Sequence, residues 1–362
     1  MRAFLVRIVR SRGREMLLAA GSVAVVGVLL GAAEWTLRIA DASYLDDRPQ
    51  SDLGRLHRYS EVYGWEPRPG AVAAVGGQRT TINAAGQRGK VHPHERTPGW
   101  PRLLMLGDSV AFGFGVADDQ TFAADLENDG YEVVNLAVPG YGTDQALLRL
   151  EREGVAYRPD LVLLHFCLQN DFVDNASSAY FYDGLHPKPY FTVEHGALVP
   201  HLDHLRLSAL SRSGLWLHEH SFLFNRVLGR GAPSPADRAE RRADALDDTL
   251  AVRDLTVRLI ARAAEVARGR GSAFALVVHP SRRAFREGSS WLAFLRDAPE
   301  LRGVPLIDMG ERARADGFGL EELTLDPIGH LNASGHRETA SIIERTIVPS
   351  LVAHPPSRAA SR

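Results

Sequence analysis

Cysteine is nearly absent from this chain: one residue, Cys167, in 362. An intrachain disulfide is therefore excluded, and the fold must be held by its core. A surplus of charge of one sign is also missing, since 42 Lys and Arg stand against 44 Asp and Glu, for a formal net charge of -2. That balance, with no basic stripe carrying interleaved aromatics, lacks the footprint of a nucleic-acid-binding protein. The composition is not that of a disordered chain either: 45% hydrophobic and 24% charged residues support a full-sized core, in one large domain or one domain with an insertion. Cys167 itself lies in the apolar run LVLLHFC and reads as a small core residue.

What is present begins with the N-terminus. Arg2, Arg7, Arg10, Arg12 and Arg14 precede an uncharged run from Met16 to Ala33, and Glu34, Arg38 and Asp41 follow it. Eighteen uncharged residues reach the lower end of the roughly 17 to 25 that cross a bilayer as a helix. Arginines stay on the cytoplasmic side, which sends the rest of the chain out of the cytoplasm. A cleaved signal peptide is the competing reading, because Gly31-Ala32-Ala33 offers small residues where a signal peptidase cuts. The run is longer than an ordinary signal core and begins late, which favours an uncleaved anchor; both readings export the remainder. The division expected is a basic cytoplasmic segment 1–15, an anchor 16–33, a spacer and edge-covering segment 34–98, a main domain 99–350 interrupted by an insertion at about 172–233, and a disordered tail 351–362.

From Pro101 the pattern alternates strand and helix. Apolar runs at 102–106, 131–136, 161–166, 273–279 and 304–309 read as five buried strands, and helical spacing appears at 119–128, 143–157, 235–268 and 332–353. Such alternation makes a mostly parallel sheet with helices on both faces. A polar cluster follows most of these strands: Gly107-Asp108-Ser109, then Asn135 to Gly142, then Gln169-Asn170-Asp171, and finally LTLDPIGHLNASGH at 323–336. A parallel sheet brings loops of this kind to one edge, where open α/β sheets bind ligands.

These are the parts of an acyl-transfer site. A serine hydroxyl is a weak nucleophile near neutral pH and needs an adjacent base, and histidine is the side chain best suited to take and return its proton. Ser109 is the expected nucleophile and His330 the base, with Asp326 bonded to the far ring nitrogen to fix the tautomer. Two residues compete for these roles: Asp308, at the end of the fifth strand, as orienter, and His336 as base, although its position one turn after Asn332 suits packing or solvent contact. Asp108 reads as a brace for the serine loop.

On Gly107-Asp108-Ser109, Gly140 in NLAVPGYG, Asn170 in LQND and Asp326 with His330, the chain resembles the SGNH hydrolase superfamily, also called the GDSL esterase/lipase family. The resemblance covers about residues 100 to 350 and rests on four blocks in order. It implies a three-layer α/β sandwich around a mostly parallel five-stranded sheet of the flavodoxin-like type. It also implies an oxyanion hole from the backbone N–H groups of Ser109 and Gly140 and the amide of Asn170, and no cofactor. Two departures stand out: Asp326 lies four residues before His330 where the family has three, and the third block has Leu168 or Gln169 in place of a glycine.

No metal is expected. His92 and His94, and the pairs His201/His204 and His218/His220, have ligand-like spacing but no compact ligand set around them. The aromatic residues of the insertion, Phe181, Tyr182, Tyr190, Phe191 and Trp216, suit a wall for a sugar or acyl group. The function expected is a membrane-anchored serine esterase acting on a carboxylic ester, such as an O-acetyl group on an envelope glycan. An O-acyltransferase using the same triad and a non-catalytic envelope scaffold are the alternatives.

Overall fold

A computed structural model describes residues 2–40, 55–179, 186–228, 250–326 and 328–346. Helix α1, Arg2–Ala40, comes first, and within it Glu15–Ala40 is long and apolar enough to cross a membrane, with none of its apolar window buried. The same helix fits an anchor or an export signal. Two short antiparallel ribbons follow, β1 (His57–Ser60) with β2 (Gly64–Pro67), and β3 (Val72–Val75) with β4 (Gln78–Thr81). The strands read from 64–70 and 78–89 are β2 and β4.

The main sheet has five strands: β5 (Arg102–Leu106), β6 (Glu132–Asn135), β7 (Leu161–Cys167), and, beyond the antiparallel hairpin β8 (Tyr190–Glu194) and β9 (Ala197–His201), β10 (Ala273–His279) and β11 (Leu306–Asp308). Their order is β11-β10-β7-β5-β6, and every pairing is parallel. Taken by sequence rank this is 2-1-3-4-5, the flavodoxin-like order, and its switch point lies between β5 and β7. β5, β6 and β7 are buried throughout, as strands covered on both faces require.

Alternate residues of each strand serve opposite cores. Leu104, Leu106, Val134, Leu164, Phe166 and Leu276 meet Leu147 and Leu150 of the helix Thr143–Arg152 and Leu259 and Ile260 of the helix Leu250–Gly269. Leu103, Met105, Val133, Leu163, Val277 and Ile307 meet Phe122 and Leu126 of the helix Phe122–Asn128 and Ile342 and Ile343 of the helix Ala333–Thr346. The result is a three-layer α/β sandwich. Of the helices read as 143–157 and 332–353, the first ends sooner than its periodicity suggested. The first runs into a 3-10 turn at Gly154–Tyr157, and beyond Thr346 the second lies outside the described residues, as do the first fifteen residues of the helix read from 235 and the tail 351–362.

The segment before the sheet is bound to the loops at its carboxyl edge. Trp65 Nε1 donates to the Pro139 carbonyl at 3.0 Å, the Tyr141 hydroxyl donates to the Trp65 carbonyl at 2.6 Å, and Gln145 Nε2 donates to the Tyr63 carbonyl at 2.8 Å. Beyond β7, Lys188 is fully buried against Asp144, and the hairpin β8–β9 lies on the helices Thr143–Arg152 and Leu250–Gly269. Phe191, read as part of a substrate wall, is instead buried in that helical layer, and Phe181 and Tyr182 lie outside the described residues.

Candidate active site

β5 ends at Gly107, whose φ of +142° and closeness to β7 admit no side chain: a Cβ there would stand 2.8 Å from the His165 carbonyl. Asp108 then caps the short helix Ser109–Phe112, its Oδ1 accepting the Val110 N–H at 2.9 Å. Asp108 is thus a brace, as expected. Ser109 occupies the first helical position, where the backbone N–H has no partner within the helix.

His330, the expected base, is brought in from more than two hundred residues further along the chain. His330 Nε2 lies 2.9 Å from Ser109 Oγ, and His330 Nδ1 lies 2.6 Å from Asp326 Oδ2. Asp326 Oδ1 accepts the N–H groups of Gly329 at 2.9 Å and His330 at 3.2 Å. Burial raises the Asp326 pKa, but the bond and charge of His330 and these two backbone donors outweigh it and hold the carboxyl below its ordinary value. The four-residue offset is accommodated by a turn and not by a helix. Thr324 bridges to Leu331, Leu325 N donates to the His330 carbonyl at 2.7 Å, and Gly329, with φ at +105°, takes up the extra residue. The Phe114 ring stacks on His330 at 4.5 Å between centroids.

Both competitors are occupied elsewhere. Asp308 Oδ1 caps the helix Met309–Ala315 through Gly310 and Glu311, and its Oδ2 accepts from Arg296 at 3.1 Å. His336 is buried beneath Phe122, its Nδ1 accepting the Phe122 N–H at 3.2 Å, and burial pushes its pKa down to about 3. It belongs to the core.

The second block is tied to the first. Val138 N donates to the Gly107 carbonyl at 3.1 Å, and Asn135 Nδ2 donates to the Ala111 carbonyl at 3.1 Å. Gly140 follows in a turn closed by Tyr141 N donating to the Val138 carbonyl, with φ at +79°, the conformation that the third residue of a type II turn requires. Among the described residues the N–H groups of Ser109 and Gly140 donate to no other group.

Asn170 follows β7 across the switch point from Ser109. Its Nδ2 donates to Asp174 Oδ2 at 2.8 Å and to Asp108 Oδ2 at 3.3 Å. Behind it lies a buried acidic network that the sequence reading did not anticipate. Asp171 Oδ2 accepts the Cys167 N–H at 2.9 Å, and Lys188 Nζ pairs with Asp144 and donates to the carbonyls of Asp174 and Ser177. Burial raises Asp108, and burial with the neighbouring carboxylates raises Asp171 well above its ordinary value. Asp174 is pushed by burial to about 7 despite the opposing pull of Asn170 and Lys188. Burial, with the same acids, raises the Cys167 thiol well above its ordinary value.

Arg88 is the other unanticipated member. Its buried guanidinium donates to the carbonyls of Phe112, Gly113 and Val116 and to Asp118, closing the loop that follows the serine helix. Nothing in the spacing of QRTTINAAGQRG marks it, because its partners lie more than twenty residues away. The histidines with ligand-like spacing have other contacts: His92 with Glu127 at 2.7 Å, His94 edge-on to Tyr157, His201 stacked on Tyr190, and His204 against the Lys188 carbonyl. Among the described residues no three His, Cys, Asp or Glu side chains form a set that could hold a metal.

The model of the GDSL-like lipase/acylhydrolase family matches residues 105–338. Solved structures similar to the chain include a lipase/acylhydrolase from Enterococcus faecalis, at 16% identity over 69% of this chain and 96% of that one, with a TM-score of 0.36. A psychrotrophic esterase from Pseudoalteromonas sp. is similar at 13% identity, over 69% of this chain and 98% of that one, with a TM-score of 0.39. A catalytic mutant of an acetylxylan esterase from Geobacillus stearothermophilus is similar at 11% identity, over 68% and 93%, with a TM-score of 0.38. Among curated proteins none matches.

Proposed function

The chain belongs to the GDSL-like lipase/acylhydrolase family, and on that footing we propose that it hydrolyses carboxylic esters through an acyl-enzyme on Ser109. The single observation that carries this reading is the relay from Asp326 through His330 to Ser109, with contacts of 2.6 and 2.9 Å. In the first half-reaction Ser109 Oγ attacks the ester carbonyl while its proton passes to His330 Nε2. Asp326 stabilises the imidazolium that results and keeps the neutral ring in the tautomer that leaves Nε2 free to accept. His330 then returns the proton to the departing alkoxide, and the acyl group remains on Ser109. A water molecule, deprotonated by the same nitrogen, then attacks the acyl carbon; the bond to Ser109 Oγ breaks as His330 returns the proton to that oxygen, and the carboxylic acid leaves.

The developing oxyanion needs donors fixed before the reaction begins. The N–H groups of Ser109 and Gly140 suit the task because no other described group engages them. Asn170 serves as the third donor by giving up the longer of its two bonds, the one to Asp108 at 3.3 Å, while the 2.8 Å bond to Asp174 retains the amide. Among esters we favour an O-acetyl group on an envelope glycan, because the arginines before Met16 support export of the domain that follows the helix. The test is to incubate the full chain with an acetylated polysaccharide and follow free acetate. Release that is lost in Ser109→Ala is expected, and acetyl transfer to a second glycan without net release would replace the hydrolase reading with a transferase.

A further inference from the structure

Helix α1 does not stand free of the remainder of the chain. Glu34, the first charged residue after the uncharged run, accepts the Phe222 N–H at 2.9 Å, the Leu223 N–H at 2.9 Å and the Ser221 hydroxyl at 2.8 Å. It thereby satisfies the first donors of the helix Phe222–Leu228. One turn further along, Arg38 donates to the His220 carbonyl at 2.7 Å and to Glu34 at 2.9 Å, and its guanidinium lies over the Phe222 ring. Both helices of the pair Ala209–His220 and Phe222–Leu228 are therefore clamped at their junction by the end of α1, and the second packs along it.

This position restricts what the pair can face. A helix rises about 1.5 Å per residue, so the clamp at Glu34 stands next to Ala33, where the uncharged run ends. A run of that length fills the hydrocarbon layer and leaves its end at the headgroup boundary. The pair nevertheless exposes large apolar side chains: Leu210 is 84%, Val227 64% and Trp216 56% exposed, and Leu217 is exposed as well. Leu210 and Leu217 are seven residues apart, hence on one side of their helix, and that side is turned away from buried Leu215. On α1, Trp35 and Ile39 are exposed beside the clamp. Tryptophan with aliphatic residues at the end of a span is the composition that membrane interfaces take up.

We propose that the helix pair Ala209–His220 and Phe222–Leu228 is a membrane-contact element. Its apolar side chains, with Trp35 and Ile39, enter the boundary between headgroups and acyl chains, and the Glu34–Arg38 clamp fixes the hydrolase domain in one orientation on the bilayer. The partner is a lipid surface. The inference rests on the reading of α1 as a retained anchor, and its test is arranged to separate the two.

The full chain, in a Cys167→Ala background, is placed in nanodiscs of phosphatidylcholine and phosphatidylglycerol with a nitroxide on one introduced cysteine: Leu210→Cys, Leu217→Cys, Val227→Cys, Val25→Cys or Arg283→Cys. Hydrolysis of a water-soluble aryl ester by each labelled protein establishes that it is folded. Labels at 210, 217 and 227 are expected to relax with oxygen and to resist an aqueous nickel chelate, as at 25, with the opposite at 283. Adding Glu34→Ala should return the three labels to the nickel chelate while the label at 25 stays shielded. If 25 is shielded but 210, 217 and 227 relax with nickel as strongly as 283, the membrane-contact element is wrong and the anchor stands. If 25 itself meets the nickel chelate, the anchor reading fails and takes the proposal with it.

Discussion

Replacing Asp326 by Asn discriminates between the two carboxylates that the sequence offers to His330. In the structure Asp326 Oδ2 accepts from His330 Nδ1 at 2.6 Å, a short charge-assisted bond, so the ring proton sits on Nδ1 and Nε2 is free to accept from Ser109. An asparagine whose amide faces Nδ1 donates instead of accepting, which moves the ring proton to Nε2. That nitrogen then meets the serine hydroxyl as a donor, and the serine loses its base. Such a wrong-tautomer substitution lowers kcat by about 10^4 in a serine protease, equivalent to about 5 kcal/mol of transition-state stabilisation. Asp308→Ala removes a helix cap from Gly310 and Glu311 and a partner from Arg296, which costs roughly 1 kcal/mol of stability and leaves kcat alone. The assay is kcat and kcat/KM for p-nitrophenyl acetate, with a melting curve for each variant. A kcat for Asp326→Asn within tenfold of wild type, or an equal loss in a stably folded Asp308→Ala, would refute the reasoning.

Other consequences follow from the surroundings of the site. Asn170→Ala should lower kcat by about 10^2 to 10^3, as loss of one oxyanion donor does, with little change in KM, in steady-state ester hydrolysis. Lys188→Met leaves Asp144 buried without its cation and should cost about 3 to 5 kcal/mol in denaturant unfolding, while the double variant Lys188→Met with Asp144→Leu recovers most of that loss. Burial lowers the pKa of His165 and, to about 4 and about 3, those of His279 and His336. The unfolded chain therefore binds more protons at these sites as pH drops below about 6.5, and each site destabilises the fold increasingly as pH falls from there toward its folded-state pKa. His336→Met should gain Tm relative to wild type as pH drops from 7 to 5. Asp174, raised to about 7, has the opposite sign: the folded state holds its proton from about pH 4 up to about 7, so its contribution is present at low pH and lost as pH rises through that window. Asp174→Asn should accordingly gain Tm relative to wild type between pH 5 and 8.

The sheet was legible because a buried parallel strand writes itself as a short apolar run that stops at glycine or small polar residues. RLLML before Gly107 is of this kind, and β5 and β10 end where their runs end, while β7, read as LVLLHF, continues one residue further to Cys167. β11 is shorter than its run VPLIDM because Asp308 turns to cap the following helix. The meeting of Asp326 with His330 was legible as residue types and not as geometry: a spacing of four fits a helical turn, whereas the chain makes a glycine-relieved turn inside a small bridge. Arg88 and the pair Asp144–Lys188 were not legible at all. A buried ion pair across 44 residues leaves no periodicity, and a charged side chain reads as solvated until the fold closes over it. The docking of Glu34 on Phe222 and Leu223 was hidden for the same reason, since its partners lie 188 and 189 residues away.

The proposed hydrolysis stands or falls on whether Ser109 carries the acyl group. Its most direct measurement is mass spectrometry of the intact full chain after exposure to a serine-directed fluorophosphonate, followed by peptide mapping. One adduct per chain is expected on Ser109, formed much more slowly in Asp326→Asn and absent in Ser109→Ala. An unlabelled wild type, or equal labelling of Ser109→Ala, would contradict it.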